Sequence, residues 1–239
     1  AYGGKMLLTR LATQPAKQVD ILTVGFLASL ETTAEYVLAT RIAQLLLLGK
    51  KAFARLLVPR IGYLLQNGGN AGLRNEYDAV RNVSLVVAMI AAAVIIGLGD
   101  TLLQLFGDYA ASTALLLLLA GVLVGVATGS SGSYLAMAGH AGWSLTIATL
   151  AVMANLGLAI LLVPTLGVNG AALAFLVAVL LQNGLAVSIA WHLDRFSAVD
   201  RLTLVCLLIM GALMLAVALA WVPKWAGSLA VAVPVGLLT

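Results

Sequence analysis

Of 239 residues, 62% are hydrophobic and 9% charged, with a net charge of +4 and a mean hydropathy of +1.09. A water-soluble domain carries roughly a quarter charged residues, so 13 cations and 9 anions are too few to coat one of this length. The apolar runs reach the ~18–20 residues that cross ~30 Å of hydrocarbon, and their continuity excludes a membrane barrel, whose strands are ~10-residue alternating segments.

The remaining class is all-α: a polytopic transmembrane helical bundle, for which the runs predict about eight helices. Their expected bounds are 5–28, 33–66, 77–99, 110–137, 142–163, 169–191, 200–221 and 225 onward. Turn residues punctuate them at NGGNAG, FGDYAAS, AGHAG and PTLGVNG, because Gly, Asn, Asp and Ser tolerate turn dihedrals. Residues 1–193 are expected to form a lobe of about six transmembrane helices, and residues 194–239 an additional, truncated pair. The chain opens without Met and stops inside an apolar run, which reads as part of a longer protein.

In the first segment Arg10, Gln14 and Lys17 share a face at spacings of 4 and 3, with Thr13 and Asp20 beside it. Asp20 either pairs with Lys17 or couples an ion or proton. Pro15 interrupts this helix, and broken helices persist in a membrane only where protein or a water-filled cavity satisfies the freed backbone. The second segment repeats the pattern. Glu35 and Lys50 stand too close in sequence for the helix between them to span the hydrocarbon at ~1.5 Å per residue, so the helix is expected to continue past Lys51 and Arg55. Arg41, Gln44, Lys51 and Arg55 gather on one face, and Leu46, Leu47, Phe53 and Leu57 on the other. A cation at such depth is costly unless it faces water or a partner. Arg10, Lys17, Arg41, Lys51 and Arg55 are therefore the substrate-cavity candidates, an electropositive lining suited to a phosphate or pyrophosphate. The plainer alternative is that their long side chains snorkel to the interface, the reading also given to Lys50. Glu31 and Glu35 are expected to cap the outer end of the second helix, where its dipole favours anions.

Placing the start of the first helix in the cytoplasm puts every cation except Arg41 and Lys224 on the cytoplasmic side. Lys5, Arg60, Arg74 and Arg81 then read as ordinary positive-inside anchors. Gly121, Gly125 and Gly129 repeat every fourth residue before SSGS, a spacing that marks a helix-packing seam or a surface that slides. His140 and His192 stand near helix ends without a second ligand at metal spacing, so no metal is expected. Cys206 is a lone thiol in an apolar run and permits no disulfide framework. The sequon at Asn82 falls on the cytoplasmic side and is discarded. No phosphate-binding loop, nucleophile elbow or paired-His motif occurs. The chain is accordingly read as having no catalytic residues and no cofactor, and as not being an enzyme.

The stretches VDILTVGFLASLETTAEYVLATRIAQL, VPRIGYLL, LLQLFGDYAASTALLLLLAG, SYLAMAGHAGW and LVPTLGVNGAALAFLVA resemble, in order and spacing, the C-terminal half of oligosaccharide flippases. These are the polysaccharide-biosynthesis branch of the superfamily that includes multidrug and toxin extrusion transporters and lipid II flippases. The resemblance covers residues 18–193 or so. It implies one lobe of a two-lobed alternating-access transporter in a bacterial inner membrane, whose missing N-terminal lobe belongs to the same protein. It also implies a polyprenyl-diphosphate-linked oligosaccharide as substrate, membrane lipids as partners, and H+ or Na+ coupling; nucleic acid is not expected. Two alternatives remain, a multidrug or cation antiporter of the same fold and a membrane enzyme of polysaccharide assembly. The first favours acidic intramembrane residues and the second a sizeable external loop, neither of which is evident here.

Overall fold

The computed structural model describes residues 19–48, 51, 69–106, 112–129 and 131–194. Every element among them is a helix and no strand occurs. The helices are α1 (Val19–Leu27), α2 (Leu30–Gln44), α3 (Gly69–Phe106), α4 (Ser112–Ala127), α5 (Ser131–Met137), α6 (Ala141–Leu166) and α7 (Val168–Asp194). Three are long and apolar enough to cross a membrane: the Asn75–Leu98 stretch of α3, α6 and α7. Their outward faces are apolar as well. Ile90 of α3 is 62% exposed and Leu161 of α6 70%, a surface that lipid accepts and water does not.

Local chemistry sets the ends. Ser29 caps α2, its hydroxyl accepting from the Thr32 amide at 3.2 Å, and Glu31 follows in the first turn. The cap is thus the neutral serine, with Glu31 adding the favourable dipole interaction expected of an anion there. Gly139, at φ +94°, closes α5, and the His140 amide bonds back to the Leu135 carbonyl at 2.9 Å. That is the Schellman closure, which needs a glycine in the left-handed region.

Three expected helices differ in the structure. The second, predicted as continuous over 33–66, begins at Leu30 and is interrupted at Leu45 and Leu46, with helical geometry again at Leu47, Leu48 and Lys51. The amides of Leu45, Leu46 and Leu48 bond three residues back instead of four, a tightening that shifts the register between Arg41 and Lys51. The third extends past 77–99 at both ends, giving a 38-residue helix because no proline or buried turn interrupts it. The fourth, predicted as one helix over 110–137, is two: α4 ends at Ala127 and α5 starts at Ser131, with Thr128 and Gly129 in a turn. Conversely, the expected PTLGVNG turn shrinks to Gly167 alone, and Pro164 lies inside α6.

α7 is the hub, packing against α6, α4, α5, α2 and α1, whereas α3 lies to one side against α4. The α6–α7 hairpin defines two ends. At one, the Gly167 backbone lies beside Thr32 at the start of α2. At the other, His140 Nε2 stands 3.4 Å from Asp194 Oδ1. Two separate apolar cores follow this axis. The larger joins Tyr36 and Leu46 of α2, Leu85 and Ala92 of α3, Leu118 of α4 and Ala172 of α7. The smaller, toward the His140 end, holds Tyr77, Tyr134, Leu135, Ile147, Ala186 and Ala190.

Candidate functional site

The face of α2 that carries Arg41 lies opposite its packed face. Tyr36, Ala39, Ile42, Ala43 and Leu46 are buried, whereas Arg41, Leu45, Leu48 and Lys51 are exposed. Leu46 and the partly buried Leu47 lie on the apolar side, as the spacing predicts. Arg10, Lys17 and Arg55 lie outside the described residues. Asp20 belongs to the first turn of α1, and its side chain is outside the description. Arg41 and Lys51 are therefore the two candidates that the structure places, both exposed: Arg41 on α2 and Lys51 beyond its end.

Between the two cores runs a polar layer. Along α3, Tyr77, Arg81, Ser84, Ala88, Ala92 and Ile95 are buried, with Leu85 beside them; their three- and four-residue steps form one helical face. Its first turns are polar and its later turns apolar. The Tyr77 hydroxyl donates to the Thr128 carbonyl at 2.8 Å and lies 3.2 Å from Ser131 Oγ. Ser131 Oγ donates to the same carbonyl at 2.6 Å. This oxygen is freed where α4 stops, and two hydroxyls satisfy it in place of the missing helical amide. Gly129 occupies the turn at φ +65°, and a Cβ there would sit 2.6 Å from the Tyr77 hydroxyl oxygen. Only glycine fits both the dihedral and the space.

From the other side, Thr128 Oγ1 donates to Asn183 Oδ1 at 2.7 Å, while Asn183 Nδ2 donates to the Val179 carbonyl at 2.8 Å. The turn is thus held by α3 on one flank and α7 on the other. The residues N-terminal to it form the packing seam that the glycine spacing predicts. A Cβ on Gly121 would lie 2.9 Å from Phe175 Cε1, and one on Gly125 4.0 Å from Val179 Cγ1, both on α7. Gly129, the third member of the repeat, serves the turn instead.

Arg81 overturns its expected role. It is no interfacial anchor but one of the largest buried side chains, 2% exposed. Its Nη1 lies 2.8 Å from Asp78 Oδ1, and its Nε and Nη2 donate to Asn82 Oδ1 at 3.3 and 3.2 Å. Burial of a guanidinium requires such compensation. Tyr134 faces Asp194, which also meets His140, so the free ends of α5, α6 and α7 are tied by polar contacts. Among the described residues no group of three metal-ligating side chains exists. The arrangement supports positioning, ion pairing and anion contact; among these described groups we find no nucleophile paired with a base.

Sequence reasoning singled out Arg41 and Lys51 and missed this layer. The available signals were the three- and four-residue steps that put Tyr77 and Arg81 in line with the apolar face of α3, and a Thr-Gly-Ser-Ser run inside an otherwise apolar helix. No family model, no curated protein and no solved structure matches this chain.

Proposed function

We propose that this chain is one lobe of a membrane flippase that moves a polyprenyl-diphosphate-linked oligosaccharide across a bacterial inner membrane. A single observation carries the reading: Arg41, on the face of α2 turned away from the lobe's own core, and Lys51, beyond the end of α2, are both exposed. Cations at membrane depth are stable where they border water or a charged partner, and an alternating-access transporter provides such a border between its lobes. In this reading Arg10, Lys17 and Arg55 extend the same lining, and Arg41 supplies the bidentate fork for a diphosphate. The chain would be ion-coupled, through H+ or Na+. The broken α4–α5 pair suits the same reading, since transporters use discontinuous helices where the backbone must rearrange. By the positive-inside pattern, the His140 end faces the cytoplasm.

A drug antiporter would need a free acidic side chain in the bundle. Among the described residues Asp78 is instead paired with Arg81, and Asp194 lies 3.4 Å from His140, which favours an anionic substrate. The test replaces Arg41, Lys51 and Arg55 together by Gln in the protein expressed in its host, with Lys224→Gln as control, and measures surface polymer. Export falling tenfold or more at unchanged membrane abundance supports the proposal. Export at the control level removes it.

A further inference from the structure

We infer that the Thr128–Gly129 turn is a hinge, latched by the Tyr77 hydroxyl, about which α5 swings against α3, α6 and α7 while the larger core stays closed. The inference goes beyond the transport reading and does not depend on what crosses the membrane.

The helix is interrupted between two cores rather than within one. α4 belongs to the larger core, pressed against α7 through the Gly121 contact, and Tyr134 and Leu135 of α5 belong to the smaller. α3, α6 and α7 run unbroken through both cores; at the break between α4 and α5 the turn is held by hydrogen bonds, from Tyr77 and Ser131 to the Thr128 carbonyl and from Thr128 to Asn183. Packed cores resist continuous deformation and move as units. Neutral hydrogen bonds of modest net strength break and reform between such units far more readily than a packed seam. At its far end α5 is closed by Gly139, around which a Cβ would meet nothing within 4 Å, so the segment has glycine freedom on both sides. The latch is a side chain of α3, the helix that lies to one side of the bundle. A shift of α3 therefore reports directly to the turn.

Hydrogen exchange of the purified protein in lipid nanodiscs tests this by mass spectrometry. Tyr77→Phe keeps the ring and removes the latch hydroxyl. Exchange of amides 131–139 is expected to accelerate about 5-fold or more, with amides 118–127 of α4 unchanged. Ser131→Ala removes the other bond to Thr128 and is expected to give the same pattern at smaller amplitude, which keeps the test open should Tyr77→Phe fold poorly. Equal acceleration in α4, or none in α5 for either variant, overturns the hinge. Neither result bears on the α2 cations, so failure here is distinct from failure of the transport reading.

Discussion

Arg41 and Arg81 are the same residue type in neighbouring helices, yet they meet opposite conditions. Arg41 projects from the uncovered side of α2, and Arg81 lies 2% exposed against Asp78 and Asn82. The difference is in register: Arg81 stands four residues after Tyr77 on the buried face of α3, whereas Arg41 falls between the buried positions Thr40 and Ile42. Stability should separate them. Asp78→Asn removes the carboxylate facing a buried guanidinium and is expected to destabilise by about 2–3 kcal/mol, whereas Arg41→Gln stays within ~0.5 kcal/mol of the parent. Thermal unfolding in detergent distinguishes the two. Similar melting temperatures for both variants would contradict the burial of Arg81 as an essential pair.

At the scale of elements, glycine does different things in similar-looking helices. In the α6–α7 hairpin, α7 begins so close to α6 that a Cβ on Gly170 would overlap the Leu162 carbonyl carbon and oxygen. Backbone does not yield as a side chain does, so Gly170→Ala is expected to cost several kcal/mol, at or above the usual ~1–3 kcal/mol of overpacking. A Cβ on Gly97 of α3 meets nothing within 4 Å, and Gly97→Ala should be neutral or stabilising by ~0.5–1 kcal/mol. Folded yield and melting temperature of the two variants check this; equal behaviour would mean that the hairpin is not closed this tightly. The same contrast explains the two misplaced boundaries. Pro164 and Gly167 look like one long turn in sequence, but proline near a helix end loses only one amide bond, and Gly167 at φ +55° reverses the chain alone. Thr128 and Gly129 look like part of an apolar helix, but there a partner side chain fills the space that the helix would need.

For the whole molecule, the described helices alternate in direction, the broken α4–α5 pair counting as one crossing. The α1–α2 junction lies near Gly167, while the starts of α3 and α6 and the end of α7 gather toward His140. This agrees with the alternation used to sort the charges. It predicts opposite labelling of two exposed sites in a Cys206→Ser background. Gly142→Cys should react with an impermeant maleimide from the cytoplasmic face, and Thr165→Cys from the outer face. Labelling of both from one side would refute the orientation. Membrane character, helical class and the AGHAG turn were legible in the linear order of residues, whereas residues 69–72 of the expected NGGNAG turn belong to α3; hydropathy over twenty residues and spacing along one helix are local properties. Leu46 and Leu47 fell on the packed side for that reason. The break after Ala127, the burial of Arg81 and the bond from Thr128 to Asn183 were not legible. Each joins residues that are distant in sequence, as Tyr77 and Thr128 are, or that share a face whose partner is unknown from one helix alone. A turn inside an apolar run becomes favourable only when another helix brings a hydroxyl to the freed carbonyl, and a buried guanidinium only when its own helix is pressed against a neighbour. Those are free energies of assembly, which no single segment contains.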